Sequence, residues 1–439
     1  MTDSIDRRQF LGVAAVTGLA AGLADLSARA ETPAPNEAGN NGIGPAECGT
    51  FPATAAEGTE IASADGPPAA PRFLTKASEF VDVSRGNPKP WSLKGEARAH
   101  ARLTPETWRL EIISDGSADI ASPKTLKDGT ALDMATLQAL GKEHGLKFLK
   151  AMQCNNIPVP LGQGLWEGVP LRDVLAQVGK VNNVRRVYFW GFHNHDPEQL
   201  FQSSLGYNQV METPPWDLAP MIAYQLNGEE IPPVRGGPVR MVVPWAHGFK
   251  SIKWLQTIVL TNDYKANDTY ALANNDPDSY LKTAAYLDRS GPQMFKTGEP
   301  VVIEGKAMAG WSGLKRVEYW LRPDAGTEGK LAEDDPAWKT AHWEPCDMMP
   351  PPDDWSAVLP AGVSPQDIWG FDASTGKPRD WPLRFSVVSW SVTLKNLAPG
   401  TYEFRARTVD LNGFAQPEPR TYQKSGLNLI QSRQVTVVS

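Results

Sequence analysis

Cysteine is scarce in this chain. Three occur in 439 residues, Cys48, Cys154 and Cys346, far apart and forming neither a CxxC pair nor a CxxCH haem-attachment site. Covalently attached haem is thereby excluded, and an odd count leaves at least one thiol unpaired. A surplus of basic residues is missing too. Lys and Arg number 43 against 50 Asp and Glu, a net charge of −7, which argues against nucleic acid as a partner. Beyond the N-terminus no apolar run reaches the roughly 18–20 residues that span a bilayer, so the mature protein is expected to be soluble. No internal repeat is visible.

What is present is globular: 41% apolar, 21% charged, with 15 Trp, in a chain long enough for two domains. The N-terminus reads as an address. Asp6-Arg7-Arg8-Gln9-Phe10-Leu11 carries a twin arginine, Gly12 to Leu23 is apolar, and Ala28-Arg29-Ala30 offers a small-x-small cleavage site. Residues 1–30 are expected to be a twin-arginine signal peptide, leading to the periplasm. That route carries folded proteins and suits a cofactor inserted beforehand. Residues 31–72, rich in Pro, Ala, Gly, Glu and Ser, cannot bury enough apolar surface to offset chain entropy. They are expected to form a flexible leader, in which Cys48 has no role.

From Phe73 the pattern changes to mixed helix and strand. Strands are expected at Trp108 to Ile113, Val187 to Trp190, Val239 to Val243 and Trp254 to Leu260. Helical spacing covers Met134 to Leu149 and Leu171 to Val178, while Met221 to Leu226 fits either period. An α+β domain over 73–290 follows. After residue 290 the texture is all-β, with strands at Val301 to Ala307, Val317 to Leu321, Ser389 to Leu394, Tyr402 to Val409 and Gln434 to Val438. Tyr402 to Arg407 followed by Asp410-Leu411-Asn412-Gly413 looks like a late strand and turn of an immunoglobulin-like sandwich, assigned to 291–439. The Pro/Asp-rich insertion from about 323 to 380 has no clear period.

The most informative stretch joins Ala223-Tyr224-Gln225-Leu226-Asn227-Gly228, Arg235-Gly236-Gly237-Pro238-Val239-Arg240 and Ser251-Ile252-Lys253-Trp254-Leu255. Fixed cations and glycines between apolar strands suit a polyanionic ligand: guanidinium binds phosphate in bidentate fashion, and glycines let backbone amides approach. Upstream, Cys154 lies in Met152-Gln153-Cys154-Asn155-Asn156-Ile157-Pro158. A lone Cys among apolar residues is ordinarily a small buried side chain. A thiolate is also a soft metal ligand, deprotonated by the metal and nearby cations.

These pieces, in this order, resemble the molybdopterin-binding half of the sulfite oxidase family. Leu165-Trp166-Glu167-Gly168-Val169-Pro170-Leu171-Arg172-Asp173-Val174-Leu175 resembles the W-x-G-V-P-L-x-D-x-L segment that follows the family's molybdenum-binding cysteine. The resemblance implies an α+β molybdopterin-binding catalytic domain over 73–290, with Cys154 as the metal ligand. It implies that Arg240 and Lys253 hold the pterin or its phosphate and that Arg235 stands where the family often has a histidine. Ser251 and Ile252 would contribute backbone groups. Ser84-Arg85-Gly86-Asn87-Pro88-Lys89-Pro90 resembles the family's R-N-H-x-P-x-P segment, one residue shorter, placing Arg85 near the metal and Asn87 against the pterin. Tyr207 stands where members carry an active-site tyrosine. In Phe192-His193-Asn194-His195, the two histidines would face opposite sides if extended, which argues against a separate zinc site. His193 is the one favoured for a pterin contact, and His247 precedes a loop expected to approach the cofactor.

The C-terminal block resembles the family's dimerisation domain through Gly310-Trp311-Ser312-Gly313, Val317 to Leu321, Ala406 to Pro417 and Gly426-Leu427-Asn428. One departure bears on substrate. Val159 occupies the place of an arginine that would help bind an oxyanion, a loss on the order of a few kcal/mol in a buried anion pocket. The expected activity is oxidation of sulfite or a related reduced sulfur compound. Electrons would pass to a separate c-type cytochrome, whose basic surface would complement the acidic chain. Assembly as a homodimer, or as a heteromer with a cytochrome subunit, is expected. Competing readings are a molybdenum-dependent sulfoxide or oxide reductase and a non-catalytic exported binding protein on the same fold.

Overall fold

A computed structural model describes residues 73–439 apart from 155, 156, 158, 273–275, 279, 289–292, 325, 327–330, 333, 334 and 417–428. The signal peptide, the leader with Cys48, Asn155, Asn156, Pro158, Pro417 and the 426–428 turn lie outside the described residues. Among the described residues no helix is long and apolar enough to cross a membrane.

The first region runs α1 (Gly95–His100), β1 (Glu111–Ser114), α2 (Met134–His144), β2 (Leu146–Met152), β3 (Gly162–Pro170), α3 (Leu171–Leu175), β4 (Arg186–Gly191), β5 (Gln202–Gly206), α4 (Tyr207–Met211), β6 (Met221–Leu226), β7 (Arg240–Val242) and β8 (Leu255–Thr261). Helix α2 is shorter than its apolar spacing predicts. The Asp133 carboxylate caps its start, accepting from the Thr136 N–H at 2.8 Å, and Lys142 and His144 lie in its last turn. It ends at Gly145, whose backbone turns extended (φ −56°, ψ 141°) and where a Cβ would lie 2.3 Å from the Gly141 carbonyl oxygen. Leu146 to Leu149 therefore leave the helix and enter β2. The ambiguous Met221 to Leu226 segment is a strand, buried at nearly every position because it lies inside a sheet.

Two sheets carry this region, ordered β1-β8-β4-β5 and β7-β6-β3-β2. Strand β1 pairs parallel to β8; the other ladders are antiparallel. Trp108, Ile112, Phe189 and Ile258 from the first sheet and Phe148, Trp166, Ile222 and Met241 from the second share one core.

The second region is a two-sheet sandwich built from β9 (Ala284–Leu287), β10 (Gln293–Lys296), β11 (Val301–Met308), β12 (Leu314–Pro323), β13 (Val387–Leu394), β14 (Gly400–Asp410) and β15 (Ser432–Val438). One sheet is ordered β9-β11-β13 with the short strand Asp347–Met348; the other is β10-β15-β14-β12 with Glu344–Pro345. Ile303, Val317, Trp390, Phe404 and Val435 meet between them. Strand β9 lies ahead of residue 291 yet pairs with β11, so by its ladder it is a sandwich strand. The insertion without period turns back onto the first region. Its Trp355, Leu359, Ile368 and Phe371 pack with Leu149 of β2 and Leu165 of β3, and the Trp369 N–H donates to the Lys147 carbonyl at 2.8 Å.

Candidate functional site

Cys154 sits just past β2, half-buried and packed against the main core. Gln153 before it is buried. Its amide donates to the carbonyls of Ile157 (2.5 Å) and Cys154 (3.1 Å), which gathers the loop, while its side-chain oxygen has no hydrogen-bond partner among the described residues. The Gln153 carbonyl accepts the Gly248 N–H at 2.7 Å, so the His247-Gly248 segment abuts the thiol's loop. A Cβ at Gly248 would come within 3.2 Å of that carbonyl oxygen.

Lys150 makes a second attachment. It is fully buried in β2 and donates from Nζ to the carbonyls of Pro244 (2.7 Å) and Ala246 (3.2 Å). Burial, with the Arg240 charge adding, pulls its pKa well below the ordinary lysine value. Strands β7 and β2 are opposite edges of their sheet, so the 243–248 segment spans the distance between them. The cation-bearing strand and the thiol are thereby joined by one short stretch of chain held at two points.

The cations converge at the other end of that stretch. Arg240, at the start of β7, is buried. It donates to the carbonyls of Arg235 (2.7 Å), Ser251 (2.6 Å) and Met241 (3.4 Å), with its guanidinium 5.0 Å above the Trp166 ring. Its charge ties the two arms of the site's loop together, and burial lowers its pKa. Ser251 is absorbed locally: its hydroxyl accepts the Val243 N–H at 3.1 Å and its own N–H donates to Gly248. The Ile252 carbonyl accepts the Met241 N–H at 2.9 Å. Arg235 is buried beside Phe80 and reaches the Val81 carbonyl at 3.2 Å, but its Nε has no partner among the described residues. Lys253 donates to Asp82 (3.0 Å), Ser84 (2.6 Å) and the Val234 carbonyl (2.8 Å). Burial carries its pKa down to about 7 although Asp82 opposes the shift. Gly236 next to it has φ +97°, and a Cβ there would lie 2.6 Å from the Lys253 side chain.

Lys253 also anchors the 82–90 loop, and so sets the place of Arg85 and Asn87. Arg85 is exposed, its guanidinium 4.9 Å from the Phe201 ring and 5.9 Å from that of Tyr270. Asn87 is exposed and clasped by Gln199, donating to its side chain at 2.9 Å and accepting at 3.2 Å. Asn194 donates to the Pro88 carbonyl at 2.9 Å, so this loop rests on the His193–Gln199 turn. His193 is half-buried, with Nδ1 3.3 Å from the Gly191 carbonyl. The backbone of the two histidines is not extended: Asn194 and His195 have φ 58° and 56°, and His195 is exposed against Phe192. Among the described residues no group of three or more His, Cys, Asp or Glu could hold a metal. Tyr207 opens α4, half-buried, with burial pushing its phenol up. His247 is buried at the thiol's loop. Val159 is exposed.

Lys150, Gln153, Asp82 and the buried pair of Lys250 and Asp268, 2.5 Å apart, where Ser203 and Ser204 also donate to the carboxylate, carry no motif in the sequence. The signal was available for the lysines. Each stands in an apolar run where a charge needs a specific partner.

Residues 97–269 match the family model described as "Oxidoreductase molybdopterin binding domain". The chain is 34% identical to a nitrate reductase [NADPH] of Fusarium oxysporum over 110 residues, 25% of this chain and 12% of the relative. It is 27% identical to sulfite oxidase of Gallus gallus over 241 residues, 48% of this chain and 51% of the relative. With mitochondrial sulfite oxidase of Mus musculus the identity is 26%, covering 56% of this chain and 47% of the relative. The matches thus span about half the length of the sulfite oxidases and far less of the nitrate reductase. Among solved structures, the sulfane dehydrogenase SoxCD of Paracoccus pantotrophus superposes with a TM-score of 0.52 at 18% identity, covering 79% of this chain and 83% of that one, a likeness of fold.

The residues fit the cofactor such a domain takes. Arg235, Arg240 and Lys253 lie within one another's electrostatic reach and Lys150 within that of Arg240, with Asp82, paired to Lys253, the one carboxylate among them in the described residues. Gathering like charges out of water is costly, and an orphaned buried guanidinium Nε remains. An anionic pterin phosphate would relieve both, and a half-buried thiol beside a Gly-backed loop suits molybdenum. Residues 97–269 thus carry an oxidoreductase molybdopterin-binding domain, and the chain is similar to the sulfite oxidases over about half of their length.

Proposed function

We propose that this chain oxidises sulfite or a related reduced sulfur compound in the periplasm and gives the electrons singly to a c-type cytochrome. For sulfite, the balance is sulfite plus water to sulfate, two protons and two electrons, the electrons reducing two ferric cytochromes. The observation that carries the reading is the joining of Cys154 to the cation cluster by the 243–253 stretch, through Gly248–Gln153 and the Lys150 contacts. Bound molybdenum supplies two-electron oxo-transfer chemistry at that thiol. The protein's residues do the rest. Arg235 and Lys253 retain the anionic chelator, Arg240 fixes the loop that presents it, and Arg85 and Tyr207 serve an oxyanion from the 84–90 loop and from α4. The absence of a CxxCH motif supports a separate carrier, and net charge −7 supports a basic one.

Export rests on Arg7-Arg8, and assembly as a dimer or with a cytochrome subunit on the C-terminal resemblance. A second reading, reduction of a sulfoxide, draws support from Val159 in the place of an oxyanion-binding arginine. Turnover of sulfite with oxidised cytochrome c, set against methionine sulfoxide with a reduced dye, separates the two. Sulfite turnover is expected; activity confined to the sulfoxide would overturn it.

A further inference from the structure

We propose that the exposed pair Trp311 and Tyr280 is the docking face for the electron acceptor, a small one-electron carrier with a basic rim. This rests on the reading above that electrons leave singly to such a carrier. Trp311 is 44% and Tyr280 38% exposed, with ring centroids 4.7 Å apart. Paired aromatics left in water have the character of interface anchors, which combine large apolar area with low entropy of ordering. Trp216 (76%) and Tyr264 (67%) are more exposed, but among the described residues neither has a ring partner.

The pair also leads inward to the site. The Trp311 ring lies 6.3 Å from Trp245, which is buried, and 6.2 Å from Phe385. The backbone follows: Trp311 N–H donates to the Leu281 carbonyl (2.8 Å) and Leu281 N–H to the Trp245 carbonyl (2.7 Å). Trp245 immediately precedes the Ala246-His247-Gly248 segment that binds the loop of Cys154, and Ala246 bridges to Tyr280. On the other side, Gln209 of α4, the helix that Tyr207 opens, donates to Asp278 at 3.4 Å. The patch therefore borders the thiol's loop and the Tyr207 helix at once. Tunnelling decays steeply with distance, so a carrier seated here meets a packed aromatic route rather than a stretch of water.

Charge fits the same occupant. The 276–282 segment holds Asp276 and Asp278 against Lys282, within a chain of net charge −7. A carrier with lysines around its haem edge would be steered to that rim. Each docking event reduces one ferric haem by one electron, and two events complete the oxidation of one sulfite.

The test is calorimetric titration of the holoprotein with a cationic mitochondrial-type cytochrome c at low and high salt. Wild type should bind saturably and lose affinity as salt rises. Trp311→Ala should weaken binding about tenfold. Asp276→Asn with Asp278→Asn, which leaves the aromatic pair intact, should weaken it and flatten the salt dependence. Trp216→Ala should bind as wild type. No binding by wild type, or wild-type affinity in both the Trp311 and the aspartate variants, would overturn the proposal. Sulfite turnover by wild type with ferricyanide tests the oxidase reading separately; should it fail there, the titration still decides the docking face.

Discussion

The two halves of the molecule treat their cations in opposite ways. In the sandwich, Arg316 and Arg407 share Glu318 at 2.6 and 2.9 Å, while Arg322 and Arg405 share Glu403, at 2.5 Å for the first. The guanidiniums of Arg322, Arg405 and Arg407 lie over Trp320, Trp338 and Trp343 at 5.1, 4.8 and 4.0 Å. Each of these guanidiniums has a carboxylate within the fold to pair with, and the array holds the insertion onto β12 and β14. In the first half, Arg235, Arg240 and Lys253 are gathered with Lys150 behind Arg240, and among the described residues only Lys253 of the four has a carboxylate partner, Asp82. Cations paired to carboxylates hold structure together; a cluster of cations with fewer such partners is costly to bury, which fits our proposal that an anion enters there.

Substitutions should separate the two halves. The largest effect is expected at the two thiols. Cys154→Ser should lower bound molybdenum at least about tenfold, whereas Cys346→Ser should leave it unchanged. Cys346 is buried in the sandwich, where burial first, then Asp347 and Glu318, push its thiol up to about 12. Metal analysis of the two purified variants checks this.

Next come the cations. Lys253→Met should reduce retained pterin about tenfold, measured by its fluorescence after gel filtration. Glu318→Gln should leave pterin content intact but cost about 1–3 kcal/mol in denaturant unfolding, because Arg316 and Arg407 lose their shared partner. Equal pterin loss in both variants would erase the distinction between the halves.

Lys150→Met should cost about 1–3 kcal/mol, since it strands the carbonyls of Pro244 and Ala246. With the 244–248 segment loosened, Cys154 in cofactor-free protein should react faster with thiol reagents. Unchanged reactivity would remove Lys150 from the positioning role.

The smallest effect concerns pH. Folded Lys253 titrates near 7 and an unfolded lysine near about 10.4, so between these values the unfolded chain binds more protons. This residue's contribution therefore makes cofactor-free protein more stable as pH rises from 7 towards 10. Bound anion holds Lys253 charged and reverses the trend, so pterin retention should fall over the same window. Melting curves of Lys253→Met should lose that part of the slope.

Much of this was legible in the residues. The Arg235-Gly236-Gly237-Pro238 run and Ser251-Ile252-Lys253 carry their chemistry locally, and the alternation of β11 follows its burial closely. What stayed hidden depends on distant chain. Lys147 and Lys150 prolong the apparent helix from Met134 until Gly145 stops it, and Lys150 gains meaning only when the 243–248 segment crosses from the opposite sheet edge. His193 and His195 would face opposite sides only on an extended backbone, and positive φ at Asn194 and His195 makes a turn instead. Arg240 reads from sequence as a phosphate ligand; its donors are directed at the carbonyls of Arg235, Met241 and Ser251, a role no local pattern announces.

We propose that the thiol at 154 and the cations joined to its loop by the 243–253 stretch hold one molybdenum cofactor. Elemental analysis and pterin fluorescence on wild-type protein, purified from a host that makes the cofactor, test it most directly. About one molybdenum and one pterin per chain is the expected result. Folded protein that carries neither would contradict it.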